Sequence, residues 1–138
     1  MTVSSISEAF QKWLDKGVGF YEEPPHLDVF EVLDFLRDID AVSVLAHPFL
    51  SFKSEAELLA FIPEGKAHGL CAMETIYPKY SAEQTATAHK IAQEFGLYES
   101  GGSDFHGAAK PTTELGTGIG GNIAVPTELL EKIRKICL

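Results

Sequence analysis

The sequence predicts an α/β fold in which parallel strands alternate with helices. Three short apolar runs, at residues 41–46, 70–74 and 97–100, are too short to be helices and are separated by segments with an apolar period near 3.6 residues. The runs begin about 28 residues apart, which is the spacing of one strand and one helix in a parallel sheet or barrel. Their hydrophobicity is continuous rather than alternating, so we expect strands that are covered on both faces.

Most of the predicted helices begin at a capping motif, in which a Ser or Asp is followed three residues later by Glu or Gln. These motifs are Ser5 with Glu8, Asp28 with Glu31, Ser54 with Glu57, and Ser81 with Gln84. Gly17 and Gly96 lie where glycines commonly end helices. The predicted helices cover residues 6–16, 29–39, 55–62, 82–95 and 128–137. The glycine-rich stretch at 116–121 predicts a flexible loop within an irregular segment, 107–126.

The composition indicates one acidic domain. The chain has 138 residues and a net charge of −9, which argues against binding to bulk nucleic acid or to an anionic membrane. Neither a signal peptide nor an apolar run of about 18 residues is found, so we expect a cytoplasmic protein. Cys71 lies in an apolar run and Cys137 is next to last, so no disulfide is predicted.

Polar residues that can bind metals follow each predicted strand. His47 follows the first strand and Glu74 ends the second, while Asp104 and His106 follow the third in the stretch "SGGSDFHG". Because parallel strands end at one edge of a sheet, these side chains are expected to lie together. Imidazole and carboxylate groups bind zinc, manganese and iron(II), so the pattern predicts a metal site.

Each of these residues also has a purely structural interpretation. A histidine after a strand is often only hydrogen-bonded, a strand-end Glu is often solvated, and an Asp after glycines often forms a turn. Lys110 is either a phosphate contact or a loop lysine. Gly101 and Gly102 are expected to permit a sharp turn or a close approach to a ligand. Three histidines are predicted to lie outside the site: His26, His68 and His89.

Three stretches, "VLAHP", "METIYPKYSAEQ" and "GLYESGGSDFHGAAKPTTELG", resemble the C-terminal part of the polymerase and histidinol phosphatase (PHP) superfamily. The resemblance implies that residues 28–138 are parallel β/α units of a distorted, seven-stranded, TIM-like barrel that lacks its N-terminal strands. Residues 1–27 resemble the end of the small helical insertion of this family. The closest subgroup comprises phosphoesterases that act on small phosphorylated molecules or short nucleic-acid fragments.

The resemblance also implies a mechanism and roles for the strand-end residues. His47 matches a histidine that binds one metal, and Asp104 and His106 match a pair that binds two metals and serves catalysis. Glu74 and Lys110 are further metal or substrate candidates. The implied reaction is hydrolysis of a phosphoester on a small molecule or nucleotide by a hydroxide bound to manganese, zinc or iron.

The first motif of the family, a His-x-His, is absent from this sequence. We therefore expect fewer ions than in the full cluster. The alternatives are a non-catalytic remnant or partner-binding domain with weak metal binding, and a generic α/β domain in which the strand-end groups are accidental. A parallel sheet cut from a barrel exposes an apolar edge, so the chain is expected to form a homo-oligomer, to pair with a missing N-terminal half, or to cover this edge with its own N-terminal segment.

Overall fold

The computed structural model describes residues 2–23 and 25–135 and shows a parallel sheet with helices packed against it. The strands of this sheet are β1 (Ser43–Leu45), β2 (Leu70–Ile76) and β3 (Tyr98–Gly101), in the order β1-β2-β3. The helices are α1 (Ile6–Ala9), α2 (Val29–Asp38), α3 (Pro48–Ser51), α4 (Glu55–Ala67), α5 (Ala82–Phe95) and α6 (Thr127–Arg134). A π-helical turn, Phe10–Leu14, follows α1, and a 3-10 turn spans Gly107–Ala109. None of the described helices has the length and apolar character needed to cross a membrane.

The capping motifs place the main helices where the sequence predicts them. The Ser81 side chain accepts the backbone N–H of Gln84, and the Gln84 side chain accepts the backbone N–H of Ser81, so α5 has a complete capping box. Helix α4 extends beyond its predicted end and contains Pro63, because its buried face continues to Gly65. The last predicted helix ends earlier, at Arg134, and its predicted residues 136 and 137 lie outside the described part of the chain, as does Cys137.

The hydrophobic core lies between the sheet and the helices on one face. Met73, on the central strand, is fully buried, and α4 and α5 pack closely on β2. The other buried members of this cluster are Leu33, Leu58, Ile62, Leu70, Ala88, Ile91, Ala92 and Leu97. Burial of this apolar surface is the main stabilising contribution to the sheet and its helices.

The opposite face of the sheet is covered at the central strand but exposed at both outer strands, so the prediction that both faces are covered holds only for β2. Val44, Ala72 and Tyr98 form one row across the three strands. Ala72 and Met73 are neighbours on one strand and point to opposite faces, so this row faces away from Met73, although Ala72 itself is fully buried. Val44 and Tyr98 are each 42% exposed. The uniform apolar character of the strands gave no sign of this asymmetry.

The sheet has three parallel strands in the part of the chain that the structure describes, and β1 is at its edge. The seven-stranded barrel implied by the family resemblance is therefore not formed by these residues. What they form is a mixed α/β structure with a partial parallel sheet.

A second, antiparallel sheet lies in the segment predicted to be irregular. Strands β4 (Thr113–Glu114) and β5 (Gly118–Ile119) form a hairpin, so the prediction of a flexible loop here is wrong. Asn122 accepts the Ile119 N–H at 2.8 Å and donates to the carbonyl of Pro78 at 2.7 Å. The hairpin is thereby fixed to the turn that follows β2.

A polar cluster at the amino ends of the strands connects α2 to the turn after α4. The Asp34 carboxylate is 2.9 Å from His68 Nδ1 and 2.7 Å from the Arg37 guanidinium. The hydrogen bond from His68 lowers the pKa of Asp34, with smaller contributions from the positive charges of His68 and Arg37. An ionised Asp34 therefore favours the folded state.

An Asp34→Asn chain is expected to be less stable than the wild type at pH 6. The pKa of Asp34 is lower in the folded than in the unfolded chain, so its contribution is present above the unfolded pKa and disappears as the pH falls through the folded pKa. The difference between the two chains should shrink as the pH is lowered from 5 to below about 3. Urea midpoints at each pH measure this. Asp38→Asn, on the same helix, is the control, and an equal loss from both substitutions at pH 6 contradicts the prediction.

Candidate functional site

The carboxyl ends of the three parallel strands lie at one rim of the sheet, as predicted. His47 follows β1, Glu74 lies near the end of β2, and Asp104 follows β3. His47 and Asp104 have left-handed backbones, with φ of 32° and 53°. Apart from Asp40, they are the only described non-glycine residues with positive φ. Backbone strain of this kind costs about 1–3 kcal/mol and concentrates at functional sites.

Glu74 is a buried carboxylate without a basic partner among the described residues. It is 9% exposed, and its Oε2 accepts the backbone N–H of His47 at 2.7 Å. Burial raises the pKa of Glu74, the negative charge of Asp104 adds to this rise, and His47 opposes it. No ion pair to Glu74 is formed within residues 2–23 and 25–135. A buried carboxylate in this setting is stabilised by a cation placed beside it.

Asp104 is held by two donors on the same oxygen. The Tyr77 hydroxyl donates to Oδ2 at 2.9 Å, and the Lys110 ammonium also donates to Oδ2. Lys110 is the main cause of the lowered pKa of Asp104, and Tyr77 adds to it against the effect of burial. Burial and the hydrogen bond to Asp104 raise the pKa of Tyr77 to about 12. At neutral pH the pair is therefore a carboxylate and a neutral phenol.

His106 is half-exposed, and one of its ring nitrogens is hydrogen-bonded to the backbone. Its Nδ1 is 2.7 Å from the backbone carbonyl of Asp104, which can only accept a hydrogen bond. Nδ1 consequently carries the proton in the neutral ring, and Nε2 carries the lone pair. The side chain is 52% exposed. A backbone partner of this type is what orients a metal-binding histidine.

Tyr77 connects the three strand ends and was missed by the sequence analysis. Its ring is 5.6 Å from the His47 ring, and its hydroxyl reaches Asp104. The turn that follows is closed by a bond from the Tyr80 N–H to the Tyr77 carbonyl at 3.1 Å and is fixed by Asn122. The available signal was its position immediately after β2, at the same rim as the metal-binding candidates.

The two glycines before Asp104 permit close packing within the protein rather than a sharp turn. A Cβ on Gly101 would lie 2.8 Å from Ile76 Cβ and 2.9 Å from Val125 Cγ2. A Cβ on Gly102 would lie 3.3 Å from Glu74 Oε1. Both glycines therefore determine how closely the ends of β2 and β3 approach each other.

The predicted metal ligands share a rim, but they do not converge on one point. Within residues 2–23 and 25–135, no group of three or more His, Cys, Asp or Glu side chains is arranged to hold an ion. The Lys110 ammonium donates to the Asp104 carboxylate, and the Glu74 carboxylate accepts the backbone N–H of His47. The metal roles of His47, Asp104 and His106 stay predictions.

The three other histidines pair with residues that are not site candidates, although His89 lines a pocket together with Tyr77. His26 is near Glu23, and His68 binds Asp34. His89 on α5 binds Glu99 of β3, so it joins a helix to the sheet and does not only face solvent.

The chain is similar to three bacterial ribonucleases. It is 32% identical over 116 residues to the 5'-3' exoribonuclease Rnm of Escherichia coli, and 27% identical over 113 residues to that of Salmonella typhimurium. It is 26% identical over 104 residues to a 5'-3' exoribonuclease of Haemophilus influenzae. The matches cover 82%, 82% and 75% of this chain, but only 38% of each relative. No protein-family profile matches the chain.

Two solved structures share the fold. A protein from Bifidobacterium adolescentis that is assigned as a metal-dependent phosphoesterase superposes with a TM-score of 0.69 at 25% identity, over 94% of this chain and 44% of that one. An amidohydrolase from Chromobacterium violaceum with bound sulfate superposes with a TM-score of 0.67 at 19% identity, over 97% and 46% of the two chains. The second likeness concerns the fold alone.

The prediction that the chain does not bind bulk nucleic acid is contradicted by these matches. The names of the similar ribonucleases say that they act on RNA. This conflicts with a prediction that rested on the net charge of −9. Net charge governs non-specific association with nucleic acid. A few groups at a strand-end rim are able to recognise a phosphate whatever the sign of the remaining surface.

Proposed function

Because the chain belongs to the PHP superfamily of metal-dependent phosphoesterases, to whose C-terminal part it corresponds, we propose that it supplies part of a metal centre that hydrolyses phosphodiester bonds of RNA. The phosphodiester chemistry follows from the family. The choice of RNA follows from the names of the three ribonucleases.

The observation that carries this proposal is the unbalanced negative charge at the rim. Glu74 and Asp104 are carboxylates near each other, and the raised pKa of Glu74 reflects both its burial and the charge of Asp104. The positive charge of Lys110 balances the charge of Asp104 but not that of Glu74. With the imidazoles of His47 and His106, these carboxylates make a donor set whose chemistry fits zinc, manganese or iron(II).

The roles proposed for the residues follow from their contacts. Asp104, His106 and His47 would hold the metal, with Glu74 as a further ligand. When bound, a divalent cation supplies Lewis-acid polarisation of a phosphoryl oxygen. Tyr77 orients Asp104 through its hydroxyl, and the Asp104 carbonyl binds Nδ1 of His106, which leaves Nε2 as the nitrogen with the lone pair.

A second candidate function is a non-catalytic domain that binds a metal weakly. It is favoured by the lack of convergence among metal-binding side chains in the described ranges. Both candidates require metal binding, and only the first requires turnover.

We expect the wild-type chain to bind Mn²⁺ in a calorimetric titration, and Glu74→Gln to weaken this binding about tenfold or more, as loss of a metal-centre carboxylate does. Glu83→Gln is the control, because Glu83 is an exposed glutamate on α5 and the charge change is the same. A titration without heat of Mn²⁺ binding in the wild type contradicts both candidates.

The same preparation is then mixed with 5'-phosphorylated single-stranded RNA and Mn²⁺. Release of mononucleotides from the 5' end, abolished by EDTA, is the result expected for the phosphoesterase. Metal binding without any hydrolysis supports the non-catalytic candidate instead.

A further inference from the structure

We infer that Lys110 is an exchangeable counter-ion, which balances Asp104 when no metal is bound and is displaced from it when a divalent cation binds. Lys110 thereby sets the metal affinity of the site. This inference rests on the proposed metal centre. It makes Lys110 a competitor of the metal for Asp104, a role that neither a loop lysine nor a phosphate contact would have.

The ion pair is more than a surface contact. The side chain of Asp104 is 19% exposed and that of Lys110 is 34% exposed, so solvent screens their attraction only in part. Lys110 is also the first cause of the lowered pKa of Asp104. Of the two donors on Oδ2, Tyr77 is neutral, and only Lys110 brings a charge that opposes that of the carboxylate.

The backbone of Lys110 is fixed at both of its polar groups. Its N–H donates to the Gly107 carbonyl at 3.1 Å, and its own carbonyl accepts the Thr113 N–H at 3.0 Å. The part that is free to move is the four-carbon stem with its ammonium group. Departure of the ammonium from Asp104 therefore requires rotation of the side chain and no rearrangement of the hairpin.

A divalent cation on Asp104 cannot share the carboxylate with the ammonium without a large repulsion. Two like charges a few ångströms apart repel each other, and a doubly charged ion doubles this repulsion. Glu74 is close enough to influence Asp104 and has no ammonium of its own. The cation has more to gain at this rim than Lys110 has, so it replaces the lysine.

The exchange predicts that removing Lys110 tightens metal binding. In a calorimetric Mn²⁺ titration of the full chain, Lys110→Gln is expected to bind about tenfold more tightly than the wild type, because the competing charge is absent. Lys110→Arg keeps a positive charge in reach of Asp104 and is expected to bind as the wild type does.

Lys53→Gln is the matched control. Lys53 lies between α3 and α4, is exposed, and forms no side-chain ion pair in the described residues. It changes the net charge by the same amount, so an equal tightening in Lys53→Gln would reveal a general charge effect and overturn the inference.

The remaining outcomes separate the inference from the proposed function. Wild-type binding that is unchanged or weakened in Lys110→Gln overturns the exchange and leaves the metal centre standing. Binding by the wild type that is about tenfold tighter in Lys110→Gln supports both. Absence of binding in every variant overturns both. Urea denaturation of each variant verifies that it is folded before titration.

Discussion

A Gly101→Ala chain is expected to be destabilised by about 1–3 kcal/mol, the cost of forcing an additional carbon into a packed interior. The new Cβ would lie 2.8 Å from Ile76 Cβ and 2.9 Å from Val125 Cγ2, and 3.1 Å from the Ile76 carbonyl oxygen. These atoms belong to the neighbouring strand and to the segment before α6, so none is the free end of a flexible side chain. Relief of the overlap therefore requires the ends of β2 and β3 to separate.

Urea denaturation of Gly101→Ala, with Gly19→Ala as the control, measures this effect. Nothing lies within 4 Å of a Cβ on Gly19, and its φ is not in the left-handed region. The control is expected to be as stable as the wild type or slightly more stable. Equal stability of Gly101→Ala and the control would show that the close approach of the strands is not what requires this glycine.

The common rim of the strand ends could be predicted from the sequence because it depends only on local patterns and on one geometric rule. Short apolar runs indicate strands, capping motifs mark the helices between them, and parallel strands end on the same side. These observations were sufficient to bring His47, Glu74 and Asp104 to one edge.

The contacts within the rim could not be predicted in the same way. Tyr77 and Asp104 are 27 positions apart, and Asn122 is 44 positions from Pro78. No local propensity reports contacts at such separations. Lys110 lies only six positions from Asp104. The residues between them form a loop with a 3-10 turn and no regular periodicity, so the ion pair of Lys110 with Asp104 could not be predicted either.

The exposure of the outer strands on one face of the sheet has a related cause. A strand that is buried on both faces and a strand that is buried on one face by helices both need apolar residues, and Val44 and Tyr98 satisfy either requirement. Only the arrangement of the other elements distinguishes the two cases. The same ambiguity explains why the barrel followed from resemblance and not from the residues.

Under the proposed function, an Asp104→Asn chain is expected to hydrolyse RNA about 10²–10³-fold more slowly than the wild type in Mn²⁺, a loss typical of removing one stabilising group from a preorganised site. Asparagine keeps the size of the side chain and tolerates the left-handed backbone that Asp104 adopts at φ 53°. Alanine would add backbone strain to the loss of charge. The Asn variant consequently isolates the charge.

The variant also removes the counter-charge of Lys110 and the anionic acceptor of the Tyr77 hydroxyl. Its Mn²⁺ affinity should therefore fall, opposite in sign to the effect of Lys110→Gln, because one variant removes a ligand and the other removes a competitor. Tyr77→Phe is the control: it deletes one hydrogen bond to Asp104, leaves the carboxylate charged, and is expected to slow hydrolysis about tenfold, as loss of a supporting partner does. If hydrolysis and Mn²⁺ affinity are unchanged in Asp104→Asn, Asp104 does not belong to the metal centre. If Tyr77→Phe loses as much hydrolytic activity as Asp104→Asn, the activity depends on the orientation of the Asp104 side chain and not on its charge.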